Sequence, residues 1–173
     1  MSSTHAWLQR ASLGFLWLIP LIALFALALP VIYWGFGGYN FGDNTLVLAE
    51  TPPREDARLL GFLVGVPATA AWLYALYRLQ RLFMQFRKGE FIDARGALHL
   101  RAFSLFTMLA AFFDVVTSGA RRWAMGEHDA PFWTHININT EHMSLIFAAG
   151  VFFMVSFVLV EAQRYKTETE QYL

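Results

Sequence analysis

The sequence contains no cysteine and few charged residues. Without thiols the chain has no disulfides, thiolate metal sites, iron–sulfur clusters or covalently attached haem. Only 15% of the 173 residues are charged, and 13 basic residues balance 13 acidic ones. With no overall field to attract nucleic acid, we expect no such partner. No P-loop, dinucleotide fingerprint, nucleophile elbow or HExxH motif occurs, so the sequence favours a protein that is not an enzyme.

Apolar residues are what the sequence has in excess. Hydrophobic residues make up 57% of the chain and aromatic residues 17%. They form four runs, each close to the roughly 20 residues that cross a bilayer as an α-helix. Neither a polar stripe at helical spacing nor strand-like alternation interrupts the runs. We predict an all-α integral membrane protein in which residues 1–173 form a single domain, a four-helix transmembrane bundle with spans at 12–34, 59–77, 102–120 and 142–160.

The first run also has features of a secretory signal peptide, because Arg10 precedes it and small residues occur near its end. Its apolar region is too long for an ordinary signal sequence. We therefore expect it to be a membrane helix. Pro20 and Pro30 are expected to kink this helix, which neighbouring helices tolerate in a membrane.

The distribution of basic residues predicts the orientation. Nine of them lie in the N-terminal tail, in the segment 78–101 and in the C-terminal tail, whereas the two remaining loops hold four. Since basic residues favour the cytoplasmic side, we expect both termini and a basic turn at 78–101 in the cytoplasm. In a bacterium this multi-pass protein would lie in the inner (cytoplasmic) membrane.

Two segments of the outer loops have the pattern of short strands. Residues 45–49 are apolar and are bounded by turn-forming residues, and residues 135–139 alternate with period two. Paired as a short extracytoplasmic β-ribbon, they would satisfy their backbone groups near the lipid headgroups. Irregular solvated loops are the alternative.

Asp114 is the acidic residue well inside a span, past its midpoint towards the outer face. A carboxylate at such a depth is a candidate functional group, since ionisable residues in membranes face the bundle interior or water. Thr117 and Ser118 lie on the same helical face, and Arg121 or Arg122 is close enough to reach back. The group is either a ligand-binding site or a structural polar cluster. A proton relay would need a second ionisable group inside the spans, and we expect none.

The five histidines raise haem and metal hypotheses. His99 and His142 belong to opposite ends of their spans, about a bilayer thickness apart, so we expect no shared haem. His128, His135 and His142 recur every seven residues near acidic residues, and imidazole with carboxylate suits zinc or copper. That spacing is not a known ligand motif, and polar loop residues are commonly only solvated. We therefore expect no metal and no cofactor, and retain these three as weak metal candidates.

The second span contains the small-residue pattern Gly61-x-x-x-Gly65, which Ala68 extends. Such patterns allow two helices to approach closely. We expect this face to pack against another helix, either within the bundle or in a neighbouring subunit.

Two stretches resemble a known family. One is the basic turn, residues 86–91 with Ala94, Leu98 and Arg101, and the other is the Glu-rich tail from Val160 to the C-terminus. From the second span onwards the chain resembles a family of small four-span bacterial inner-membrane proteins that is described as a domain of unknown function. The resemblance implies a bacterial inner-membrane location. It implies no catalytic residue, cofactor or substrate.

These features together predict a non-enzymatic membrane protein that acts by binding a partner subunit, a lipid or a small ligand. The partner would be another membrane protein, a second copy of the chain in a homo-oligomer, or a cytoplasmic regulator at the basic turn. A small oligomeric transporter or proton-coupled carrier that uses Asp114 is the first alternative. A quinone- or haem-associated electron-transfer subunit is the second.

Reporter fusions test the orientation. Because the basic segments resist translocation, a reporter that works only in the cytoplasm should be active at the C-terminus. A reporter that works only outside the cytoplasm should be active when fused at Glu127. The reverse pattern of signals would contradict the orientation.

Overall fold

The computed structural model of the protein describes residues 3–36, 55, 58–88, 94–124, 131–136 and 138–171. Four long helices follow one another: α1 (Ser3–Phe36), α2 (Arg58–Arg87), α3 (Ala94–Ala124) and α4 (Thr140–Gln171). One turn of 3₁₀ helix, Phe132–His135, precedes α4. All four long helices are apolar enough to cross a membrane. This confirms the prediction of a four-helix membrane protein, and each predicted span lies within one of these helices.

The helices pack in chain order, each against the next. α2 contacts both α1 and α3, and α4 contacts α3. Within the described residues α1 and α4 make no extensive contact with each other. The arrangement is therefore an open row, and α4 presents large apolar side chains such as Phe147, Met154 and Val158 to the outside. In a bilayer, lipid tails cover a surface of this kind.

Arginine residues mark the two ends of the row. Arg58 on α2 and Arg121 on α3 lie at what we call the loop end. Arg78 and Arg101 lie at the opposite end, the hairpin end, where residues 88–93 join α2 to α3. Within each helix the two arginines are twenty residues apart, about 30 Å at 1.5 Å per residue. That length equals the thickness of the hydrocarbon core, so both levels reach the lipid headgroups.

Small residues are buried at regular spacing on both α3 and α4. Ser104 and Ala111 on α3 are buried, and so are Ala149 and Ser156 on α4. In both pairs the two residues are seven apart, the period at which one face of a helix repeats. The serine hydroxyls donate to main-chain carbonyl oxygens of their own helices, at 2.9 and 2.6 Å. Small side chains without free donors let the two helices approach closely in an apolar medium.

The expected β-ribbon is not seen, and no strand occurs in the part of the chain that the structure describes. Residues 45–49 lie outside the described residues. His135, expected to begin a strand, instead ends the 3₁₀ turn, which packs against α3. The backbone N–H and the hydroxyl of Thr134 both bond to the carbonyl oxygen of Pro131, at 3.0 and 2.7 Å. These local bonds occupy groups that a strand would have offered to its neighbour.

The two glycines of the small-residue pattern have different surroundings. Gly61 is buried against the Trp34 indole of α1, and a Cβ atom at this position would overlap the ring. Nothing lies within 4 Å of the place where a Cβ of Gly65 would be. Gly65 instead borders a cavity, together with Ala68. Gly61 therefore makes room for an aromatic side chain of α1, whereas Gly65 has no such contact.

Gly61→Ala should destabilise the protein, and Gly65→Ala should not. Forcing a methyl group into the Trp34 contact costs about 1–3 kcal/mol. Both substitutions gain up to about 1 kcal/mol of helix propensity, so their difference isolates the packing contact. Thermal unfolding in detergent should give a lower midpoint for Gly61→Ala alone. Equal midpoints for the two variants would contradict the close approach of α1 and α2.

Candidate functional site

Asp114 continues the buried seam of α3. Five of the buried side chains of this helix recur at steps of three and four residues: Ala97, Leu100, Ser104, Thr107 and Ala111. The same steps lead next to Asp114 and, one heptad further, to Arg121. Because residues at these intervals share one face of a helix, the packing of α3 turns both charged side chains towards its neighbours.

Two side chains hold the Asp114 carboxylate. Its Oδ1 accepts a hydrogen bond from Arg121 Nη2 at 2.5 Å, and its Oδ2 lies 2.9 Å from His142 Nε2 on α4. Arg121 Nη2 also lies 3.4 Å from the main-chain carbonyl oxygen of Asp114. We call these three residues the Asp114 cluster. The guanidinium balances the carboxylate charge, which is the pairing that an ionised group needs in an apolar layer.

His142 is oriented as a hydrogen-bond donor to the carboxylate. Its Nδ1 accepts the backbone N–H of Asn139 at 3.4 Å. A neutral imidazole carries one N–H, so an accepting Nδ1 assigns the proton to Nε2, the atom that faces Asp114. The side chain is only 16% exposed. The chain just before α4 thus fixes both the tautomer and the orientation of the ring.

The first turn of α4 lies well below the loop end. Asp114 is seven residues from Arg121 along α3, or about 10 Å. Since His142 is the third residue of α4 and contacts Asp114, α4 begins at about this depth. Glu141 also lies in this first turn, where its negative charge suits the positive end of the helix dipole. The carboxylates of Asp114 and Glu141 and the imidazole of His142 therefore lie at one level along the helices.

The other members of the predicted site bond elsewhere. The hydroxyls of Thr117 and Ser118 donate to main-chain carbonyl oxygens one turn back on α3, at 2.7 and 2.6 Å. Arg122 is exposed and does not pair with Asp114. The Thr117 hydroxyl also lies 3.5 Å from the main-chain carbonyl oxygen of Asp114. Of the predicted set, Arg121 is the residue whose side chain bonds to the Asp114 carboxylate.

The contact between His142 and Asp114 was not predicted from the sequence. The expectation of no second ionisable group near Asp114 is wrong, because His142 touches the carboxylate from α4. The sequence predicts that the fourth span begins at His142 and counts this residue with the histidines of the outer loop. A signal was present: Ala149 and Ser156 mark the face of α4 that meets α3, and one further step of seven residues reaches His142.

Two cavities flank the Asp114 side chain. The first, which we call the α4 cavity, has a volume of about 320 Å³. Its wall is largely apolar and includes residues of α2, α3 and α4: Ala68, Thr69, Trp72, Ala110, Asp114, Glu141 and His142. The second has a volume of about 310 Å³ and lies among α1, α2 and α3, with Pro30, Trp34, Gly65 and Arg121 in its wall. Both volumes suit a small organic molecule, for which sites are usually about 300–1,000 Å³.

The two histidines whose side chains the structure describes, His99 and His142, do not come together. His128 lies outside the described residues, and for His135 only the backbone is described. In the described ranges no group of three or more histidine and acidic side chains is arranged to hold a metal ion. His99 and Asp114 are fifteen residues apart on α3, about 22 Å. Because His142 contacts Asp114, His99 and His142 cannot be axial ligands of one haem.

In comparisons with known proteins, no protein-family model, no curated protein and no solved structure matches this chain. The resemblance of its basic turn and tail to a four-span bacterial family therefore stays a prediction.

Arg121→Gln should destabilise the protein more than Arg122→Gln, although the two residues are neighbours. Of these two arginines, Arg121 alone bonds to Asp114, and losing a half-exposed bond between charged groups costs about 1–2 kcal/mol. Removing the exposed Arg122 should change the free energy of unfolding by less than about 0.5 kcal/mol. Denaturant unfolding in mixed micelles measures both changes. An equal loss in the two variants would argue against the ion pair.

Proposed function

We propose that the protein is a non-enzymatic membrane protein that binds a small amphiphilic molecule from the lipid in the α4 cavity. The polar end of this molecule would lie at the Asp114 cluster. One observation carries the proposal: a paired carboxylate and imidazole stand on the wall of an otherwise largely apolar cavity. A mostly apolar wall with a few placed polar groups is the usual form of a small-molecule site.

The polar groups of the cavity favour a ligand that donates hydrogen bonds. A carboxylate has about four lone-pair positions, and Arg121 and His142 occupy two of those on Asp114. Glu141 adds a second carboxylate to the same wall. A hydroxyl or amino group would bond to these oxygens, whereas a phosphate or carboxylate would be repelled. The ligand class is therefore a lipophile with a hydroxyl or amine head, which includes the reduced form of a quinone.

The cellular setting is part of the proposal. The excess of basic residues at the hairpin end and in both tails supports cytoplasmic termini, and the family resemblance supports the inner membrane of a bacterium. With this orientation the Asp114 cluster lies in the outer half of the membrane. The apolar outer surface of α4 is then available to lipid, to a membrane-protein partner or to a second copy of the chain.

A proton-coupled carrier is the second candidate function, because Asp114 has a titratable neighbour in His142. Pairs of acidic and histidine side chains are found in proton relays. Towards the hairpin end, however, the seam continues through Ala111, Thr107 and Ser104, each no more than 2% exposed. This packing leaves no water-filled path along this face of α3, which favours binding over transport.

Molecules that co-purify with the protein test the proposed function. Solvent extracts of the purified protein, analysed by mass spectrometry, should contain an amphiphile with a hydroxyl or amino group. Its amount should fall several-fold in Ala68→Leu, which fills the cavity, and in Asp114→Asn, which removes the acceptor charge. Gly65→Ala is the matched control, since Gly65 borders only the other cavity.

Equal amounts of every extracted molecule in all four proteins would contradict ligand binding in the α4 cavity. Proton uptake into proteoliposomes separates the two candidate functions. A proton flux that is lost in Asp114→Asn would favour the carrier. We expect the same proton flux with the wild-type protein and with Asp114→Asn.

A further inference from the structure

We propose that a second site, at the hairpin end, binds the phosphate group of an anionic phospholipid through Arg78, Arg81 and His99. This site does not depend on the Asp114 cluster. His99 lies fifteen residues from Asp114 along α3, about 22 Å away, and no residue is shared between the two.

The site is a cluster of positive charge between α2 and α3. Arg78 and Arg81 are one turn apart on α2, and their guanidinium groups are the charged neighbours of His99 on α3. Within the described part of the chain, no acidic side chain forms an ion pair with either arginine. Two neighbouring cations without an anion repel each other, and an anionic ligand would relieve this repulsion.

Aromatic rings hold the two arginines in place. The guanidinium of Arg78 lies 5.7 Å from the centre of the Tyr74 ring, and that of Arg81 lies 5.3 Å from the Tyr77 ring. Arg81 Nε also donates a hydrogen bond to the Tyr77 hydroxyl at 3.0 Å. These contacts orient the cations and leave their charge unneutralised. The site is therefore ordered before any anion binds.

Two polar atoms of this cluster have no hydrogen-bond partner among the described residues. Arg78 Nε and His99 Nδ1 are buried and lack a hydrogen bond to any residue that the structure describes. A buried polar atom without a partner costs roughly 1–3 kcal/mol. A phosphate has several oxygens that accept hydrogen bonds from guanidinium and imidazole N–H groups, and arginine suits such an acceptor especially well.

The depth of the cluster indicates a lipid as the source of the phosphate. Arg78 is twenty residues from Arg58, about 30 Å along α2, which places it where the hydrocarbon meets the headgroups. Tyr74 and Tyr77 lie at this boundary, as aromatic residues of membrane proteins commonly do. Basic pockets between helices at this level bind anionic headgroups. A free phosphate ion shares the chemistry but would have to come from water.

Native mass spectrometry of the purified protein in a neutral detergent tests the site. Phosphatidylglycerol is the probe and zwitterionic phosphatidylcholine is the reference lipid. Wild-type protein should retain phosphatidylglycerol over phosphatidylcholine. Arg78→Gln should weaken this retention about fivefold, since one arginine near an anionic surface contributes roughly this factor. Arg78→Lys keeps the charge and should retain part of the lipid binding. This variant also serves to show that the protein folds with a substitution at position 78.

Arg101→Gln is the matched control. Arg101 lies at a similar depth but on another face, with its guanidinium 4.6 Å from the centre of the Phe157 ring. This variant should retain the lipid within about twofold of wild type, because the lost charge is outside the site. A second arm adds inorganic phosphate, with chloride at equal ionic strength as its control, to lipid-free protein during thermal unfolding. We expect no shift in the midpoint.

The outcomes separate the two sources of phosphate. A midpoint raised by inorganic phosphate in wild type and Arg101→Gln but not in Arg78→Gln would support the site and assign it to a soluble anion. Equal lipid retention in Arg78→Gln and Arg101→Gln, with no effect of inorganic phosphate, would overturn the proposal.

Discussion

A carboxylate about 10 Å inside the apolar layer must be paired or neutral, because hydrocarbon does not solvate charge. Asp114 meets this requirement with one partner from its own helix and one from the next. The requirement has structural consequences beyond the site. Arg121 has to extend back along two turns of α3, and α4 has to begin at a depth where His142 reaches the carboxylate. The backbone N–H of Asn139, just before α4, in turn donates to Nδ1 on the other side of the His142 ring.

The remaining packing supports this contact with very little polar material. Among the helices that the structure describes, α4 has a single extensive neighbour, α3, and meets it through small side chains such as Ala149 and Ser156. Packing of small residues positions a helix in a membrane but does not by itself fix its height. The bond between His142 and Asp114 supplies that specificity at one end. At the other end, the guanidinium of Arg101 lies over the rings of Phe153 and Phe157.

The four membrane helices could be predicted from the sequence because length and hydrophobicity decide whether a segment spans a bilayer. Short sequence patterns predicted the local structure less well. The alternation from His135 onwards suggested a strand, but the turn that Pro131 begins satisfies the backbone locally. The spacing of Gly61 and Gly65 gave no means of telling which one meets another helix, because that depends on where the Trp34 ring lies.

The candidate site was predicted only in part, for a similar reason. Spacing along α3 identified Asp114 and a cation two turns away, since those relations lie within one helix. The partner on α4 depends on the height at which that helix begins, which the length of an apolar run does not define to within a turn. A search for residues seven positions from the small residues of α4 would have placed His142 on the contact face. The two cavities beside Asp114 have no sequence signal, because four helices contribute to their walls.

The coupling between Asp114 and His142 is the central claim, and a double-mutant cycle measures it most directly. Asp114→Leu and His142→Phe, alone and together, would be compared by the free energy of unfolding in mixed micelles. Each single change leaves the remaining polar partner without this bond, whereas the double change replaces both residues with apolar groups. The account predicts a coupling free energy of about 1–2 kcal/mol, with the double variant more stable than the sum of the single losses. Strictly additive losses would contradict it.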